Sequence, residues 1–240
     1  MNYKAPRLGI DRFLALRWAD MALDLYITND DQSKARKQLR SWLSKEIEGQ
    51  VSARKTADQI NRIWLIENDP FENLRKMAIL NGLANNHRYR PFLHFGLAIN
   101  VFPLFADVCR VTGRLLNLQT SCTNKDIYQR VQEKYGNPAS IKRAAYRTTQ
   151  TLIDWRLLTS HNGDISAREC LVSDSTIIEW LLTALISAQS TDRIPLVDVV
   201  KAPELLGIRF EDVRAAIRSA SKLTIERLLD VEMVIMNTWE

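Results

Sequence analysis

The stretch "NPASIKRAAYRTTQTLIDWRLLTSHNGDIS", residues 137–166, decides how this sequence is read. Its first half repeats Ile141, Ala145, Thr148, Leu152 and Trp155 at steps that put them on one side of a helix. The opposite side carries Lys142, Arg143, Tyr146, Arg147 and Gln150, of which 143, 146, 147 and 150 follow the i, i+3, i+4, i+7 rule and share a stripe. No Asp or Glu occurs between residues 137 and 153 to pair with the three cations. Asn137 and Pro138 read as the cap and first residue of this helix. Behind it, two short extended runs flank His161-Asn162-Gly163-Asp164. An Asn-Gly pair between strands is the strongest short-range hairpin signal, because both turn residues accept positive φ.

Immediately upstream, "TSCTNKDIYQRVQEKY" offers Thr123 as an N-cap with Asp126 three residues on, a capping box in which Asp stands for the usual Glu or Gln. Ile127, Tyr128 and Val131 face inward on that helix, and "YGNP" ends it. Two short helices, a turn and a β-hairpin follow the order of a winged helix-turn-helix. Arg and Gln have the geometry to hydrogen-bond base edges in a major groove, while cations near the helix start hold phosphates. The candidate DNA-binding set is therefore Lys142, Arg143, Tyr146, Arg147 and Gln150, with Arg156, Lys125 and Arg130 flanking it.

The first hundred residues are helical in pattern. Ile10, Phe13, Leu14, Trp18, Met21 and Leu25 mark a first helix face, and Leu39, Trp42, Leu43 and Ile47 a second, running from Gln32 to Glu48 and stopped by Gly49. Ala53, Thr56, Ala57, Ile60 and Trp64 mark a third, and Pro70 after Asp69 opens a fourth. Residues 85–91 read as a loop, and residues 92 to about 116 as one apolar core helix. Downstream, Asp174 or Ser175 caps a further helix, "IPLVDVVKAPELLGI" reads as a short helix or turn, and residues 210–238 read as mostly helical. The basic runs Lys34, Arg36, Lys37, Arg40 and Arg54, Lys55 read as solvated helix faces, and Trp42, Trp64, Trp155 and Trp180 as core.

With 46% apolar and 25% charged residues in 240, the chain has the material for a packed core. Only 8 Gly and 7 Pro argue against an all-β protein. Cys109, Cys122 and Cys170 form no close pair, so no disulfide framework is expected and a reducing cytoplasm is the natural compartment. The most apolar run, residues 91–109, falls short of a membrane span and contains His94, Asn100, Pro103 and Asp107. No membrane association and no signal peptide are expected. The net charge of +5 is uneven: residues 1–163 hold 25 Lys and Arg against 15 Asp and Glu, and residues 164–240 hold 8 against 13. A basic front suits an anionic partner. The acidic remainder then faces water or another protein.

Enzyme signatures are missing from the sequence. There is no phosphate-binding G-x-x-x-x-G-K-[ST] loop, no G-x-G-x-x-G, no G-x-S-x-G and no [DE]-x-K core of the kind common in restriction-type nucleases. His87, His94 and His161 are spaced unlike zinc ligands, and no C-x-x-C occurs. No catalysis, metal or cofactor is expected. His161 reads as a surface turn residue.

The block from Phe92 to Ser173 resembles the accessory A protein of BREX phage-defence systems. The resemblance lies in "FLHFGLAINVFPLFADVCRVTGRLL" with its aromatic-Pro-aliphatic element Phe102, Pro103, Leu104, then "TNKDIYQRV", then "SIKRAAYRTTQTLIDWRLL", a hairpin and "LVSDSTIIEWL". The family's "GLL" ending corresponds to Arg156, Leu157, Leu158, with Arg156 in place of the Gly. The resemblance implies a non-enzymatic, all-helical DNA-binding accessory of bacterial antiviral defence, with contacts carried over to Lys142, Arg143 and Arg147.

Together these readings give a mainly α-helical protein: a helical N-terminal domain over residues 1–118, then residues 119–240 with a central winged helix and helical C-terminal region. The expected function is non-catalytic binding of double-stranded DNA in a defence system, with the acidic C-terminal region meeting other defence-system proteins. Two alternatives stand beside it. One is an interaction scaffold of a defence or regulatory complex that binds no DNA. The other is an RNA-binding helical protein, for which shape or single strands matter more than groove readout.

Overall fold

The three- and four-residue apolar step folds as helix over most of its length, so the chain is mainly helical. The computed structural model describes residues 9–136 and 138–237, and eleven α-helices lie among them. Helices α1 (Leu16–Thr28), α2 (Gln32–Glu46), α3 (Gln50–Trp64) and α4 (Glu72–Leu80) come first, followed by a 3-10 turn at Leu83–Asn85. Asp31 caps α2 by accepting from the amides of Ser33 and Lys34. The first helix begins six residues later than the pattern from Ile10 suggests. Ile10 and Leu14 are buried but lie outside the helix, and side chains from residues 151–155 take the backbone groups of Leu14 and Leu16. The Leu14 amide donates to Thr151 Oγ1 (3.1 Å) and the Leu16 amide to Asp154 Oδ2 (2.6 Å), while Trp155 Nε1 donates to the Leu14 carbonyl (2.9 Å).

The apolar run expected as one helix is two, α5 (Arg90–Val101) and α6 (Pro103–Leu118), bent by 115°. Pro103 is the cause. A residue preceding proline is pushed out of the α region, and Phe102 sits at φ −126°, ψ 97°, ending one helix and capping the next. Arg90 and Pro91, expected in the preceding loop, open α5. Gly113 on α6 is pressed against the chain at Pro203, where an added Cβ would lie 1.8 Å from the Pro203 carbonyl oxygen.

The central block follows as β1 (Cys122–Thr123), α7 (Asn124–Tyr135), α8 (Ala139–Asp154), β2 (Leu158–His161) and β3 (Asp164–Ala167). Helices α6, α7 and α8 pack against one another. The three strands form one antiparallel sheet in the order β1-β3-β2. Thr123 and Asp126 make the full reciprocal capping box of α7, so Asp serves where Glu or Gln is usual. Those bonds also hold the Asp126 carboxyl below its ordinary pKa. Pro138 stands just outside α8, which starts at Ala139; the cap expected at Asn137 lies outside the described residues. The turn Asn162-Gly163 takes φ values of 51° and 90°, as the hairpin signal requires.

The rest comprises β4 (Cys170–Val172), α9 (Ser175–Ala188), β5 (Arg193–Pro195), α10 (Leu196–Val200), a 3-10 turn (Pro203–Leu205), β6 (Ile208–Phe210), α11 (Val213–Arg218), β7 (Leu223–Leu228) and β8 (Val231–Met236). Asp174 caps α9 by accepting from Thr176 and Ile177. The helix expected over residues 210–238 is mostly absent: β5, β8 and β7 form an antiparallel sheet. The β-branched residues Thr224, Ile225, Val231, Val234 and Ile235 favour strands, and Leu229, at φ 55°, turns the hairpin. Buried Glu179 on α9 anchors this hairpin by accepting from the amides of Ser221 and Lys222, both at 2.7 Å.

One hydrophobic core runs from Ile10 to Val234 and passes without interruption through residue 118, where α6 ends. Trp64, Trp155 and Trp180 lie fully inside it, whereas Trp42 is packed at its edge. At its centre Trp64 Nε1 donates to His94 Nδ1 (2.8 Å), leaving His94 Nε2–H to donate to Asp20 Oδ1 (3.0 Å). The Trp155 ring sits 5.6 Å from His94, so this buried network reaches the end of α8.

Candidate nucleic-acid interface

The two faces of α8 separate as the spacing requires. Ile141, Ala145, Thr148, Leu152 and Trp155 are buried; Lys142, Arg143 and Tyr146 are exposed; Arg147 and Gln150 are half-buried. Three of the outward residues are linked. Arg147 Nη1 donates to Gln150 Oε1 (2.6 Å), and Gln150 Nε2 donates to the Tyr146 hydroxyl (3.2 Å). Thr149 Oγ1 donates to Asn124 Oδ1 at 2.6 Å, tying the start of α7 to the middle of α8.

Between these helices lies a groove of about 540 Å³ lined by Asn124, Lys125, Tyr128, Ala139, Lys142, Arg143 and Tyr146. Lys125 thus joins the α8 stripe. The ammonium of Lys142 sits 5.7 Å from the Tyr128 ring centre, and the Arg147 guanidinium 5.9 Å from that of Tyr146. Among the described residues, none of Lys125, Lys142, Arg143 and Arg147 makes an ion pair with a carboxylate.

Arg156 and Arg130 stand apart from this cluster. Arg156 closes α8 in the left-handed region at φ 62°, with its amide donating to the Ile153 carbonyl (3.0 Å) and that of Leu157 to Leu152 (2.9 Å). That double closure is the Schellman pattern, which favours Gly at this place. Arg130 is turned to the other side of α7, where it pairs with Glu133 at 3.0 Å. It lines a second groove of about 740 Å³ together with Arg110, Arg114, Leu115, Leu118 and Lys134. Asp107 in that groove accepts from Lys134 and Tyr135; burial acts to raise its pKa, and these bonds outweigh it and leave the carboxyl below its ordinary value.

On the basic faces read as solvated two guanidiniums are engaged, whereas Lys34, Lys37, Arg54 and Lys55 make no ion pair among the described residues. Arg40 pairs with Asp58 at 2.9 Å, and Arg36 donates to the Leu65 carbonyl at 2.7 Å beside Glu67. His161 lies exposed in the hairpin turn beside Asn162.

Among the described residues no group of three or more His, Cys, Asp or Glu is placed to hold a metal ion. No single helix there is long and apolar enough to cross a membrane. Burial raises the Cys109 and Cys122 thiols, Cys122 to about 11, which removes thiolate character at neutral pH. Comparison of the chain with protein-family models, with curated proteins and with solved structures returns no match.

Proposed function

We propose that the protein binds double-stranded DNA without catalysing a reaction on it, through α8 as the recognition helix and the β2–β3 hairpin as the wing of a winged helix-turn-helix. The order helix, strand, helix, helix, strand, turn, strand and the β1-β3-β2 sheet support that reading. The observation that carries it is the set Lys125, Lys142, Arg143 and Arg147, clustered on one surface with no carboxylate partner among the described residues. Arg147 and Gln150, already oriented by their mutual bond, suit base edges; Lys125 and Lys142 suit phosphates. In line with the resemblance to the BREX accessory A family, the proposed setting is a bacterial antiviral defence system in the cytoplasm.

A second reading, a protein scaffold, is favoured by one observation. A C-terminal groove of about 840 Å³ combines Val197, Val200 and Val231 with Glu211, Asp212 and Asp230. A mobility shift on duplex DNA at two salt concentrations separates the readings, with Arg143→Glu/Arg147→Glu as control. DNA binding gives a shift that weakens steeply with salt and collapses in the variant. Absence of a shift at low salt supports the scaffold, and a shift with RNA alone supports RNA binding.

A further inference from the structure

The groove between α7 and α8 has a composition that groove readout of paired DNA does not need. Two tyrosine rings line it, Tyr128 half-buried and Tyr146 46% exposed, with Asn124 between the helices and Lys125, Lys142 and Arg143 around its rim. A base pair inside a duplex presents only its edges and cannot stack on a side chain. An unpaired base presents a π-face, and aromatic rings flanked by cations are the usual platform for one. The rim cations supply the charge complement of the nucleotide's phosphates.

Resting on the DNA-binding reading above, we infer that this groove takes an unpaired nucleotide of a DNA duplex, from a bulge, an overhang or a flipped base. The base stacks against Tyr146 and Tyr128. Lys142, which covers the Tyr128 face in the free protein, swings on its flexible stem to a flanking phosphate. Asn124 keeps its Oδ1 engaged by Thr149 and offers its amide N–H groups to the base edge. The protein thereby favours DNA that is locally unpaired over the same sequence fully paired.

The test measures the ratio of two affinities on the full chain by fluorescence anisotropy. One probe is a paired duplex; the other is the same duplex with a single unpaired 2-aminopurine nucleotide. The expected result is about tenfold tighter binding of the second, the weight of one base stacked on an aromatic ring, with quenching of 2-aminopurine fluorescence. The ratio falls toward one in Tyr128→Leu/Tyr146→Leu and is retained in Tyr128→Phe/Tyr146→Phe. Equal affinities for the two duplexes in the wild type overturn the inference while leaving DNA binding intact. A wild-type ratio that persists in the Leu variant overturns its assignment to this groove. Binding to neither duplex overturns the inference and the DNA-binding reading together, and preference for an unpaired nucleotide in RNA but not DNA overturns the choice of DNA.

Discussion

Helix α2 carries five cations and α8 three, and among the described residues only α2 has cations that meet carboxylates. On α2, Arg40 faces Asp58 of α3, and Arg36 is taken up by the Leu65 carbonyl beside Glu67. On α8 Lys142 lies over the Tyr128 ring, and Arg147 lies over the Tyr146 ring and donates to Gln150. Exposed ion pairs add only about 0–1 kcal/mol each to stability, so the α2 pairs matter little to folding. They cancel the local field at Arg36 and Arg40 only, and Lys34, Lys37 and Lys45 make no ion pair among the described residues. The difference teaches that a cation count is read together with the carboxylates around each cation and with what else lines the same surface.

The comparison depends on α8 being held rigidly, and the largest effect comes from breaking that hold. Trp155→Ala removes a fully buried ring and its bond to the Leu14 carbonyl, and should cost about 3–5 kcal/mol, read as a fall in the urea midpoint. Next comes the face itself: Arg143→Glu/Arg147→Glu should weaken duplex DNA binding by about a hundredfold, or ~2.7 kcal/mol, with the thermal midpoint unchanged.

A third effect separates core from surface by pH. Burial lowers the His94 pKa below 6.5, more than the neighbouring Asp20 raises it. The unfolded chain therefore takes up this proton first as pH falls. The stability is fully present above the unfolded value and declines below it by up to ~1.4 kcal/mol per pH unit, until the folded imidazole protonates. Urea titrations between neutral and mildly acidic pH should show that slope, and His94→Gln should flatten it. Arg156→Gly relieves the left-handed backbone and should stabilise by about 1 kcal/mol, read as a higher thermal midpoint. The smallest effect is the control that completes the comparison. Arg36→Glu/Arg40→Glu should change DNA affinity by less than about threefold, because neither guanidinium belongs to the proposed footprint.

Much of α8 was legible because its two faces and its hairpin are written in local spacing: the buried line from Ile141 to Trp155, and Asn162-Gly163. The capping box was legible for the same reason. The break at Phe102 was not, since the apolar run continues through it and only Pro103 marks the corner. The C-terminal strands were missed because short runs of β-branched residues beside the short helix α11 carry little periodicity, and their pairing joins β5 to β8 across some forty residues. For the site, Lys125 and Arg130 looked equivalent. Five residues along a helix turn a side chain by about 140°, which is why Arg130 points into the other groove. Tyr128 packs against the core as its spacing predicts, and only the packing of α7 on α8 reveals that it also lines the groove.

The central claim is that unpaired cations on and beside α8 hold the phosphates of duplex DNA. Its most direct measurement is the slope of log affinity against log salt concentration on one duplex. Three phosphate contacts, from Lys125, Lys142 and Arg143, give a slope of about −3, reduced by about two in Lys142→Ala/Arg143→Ala. A slope near zero, or one identical in wild type and variant, would contradict the account.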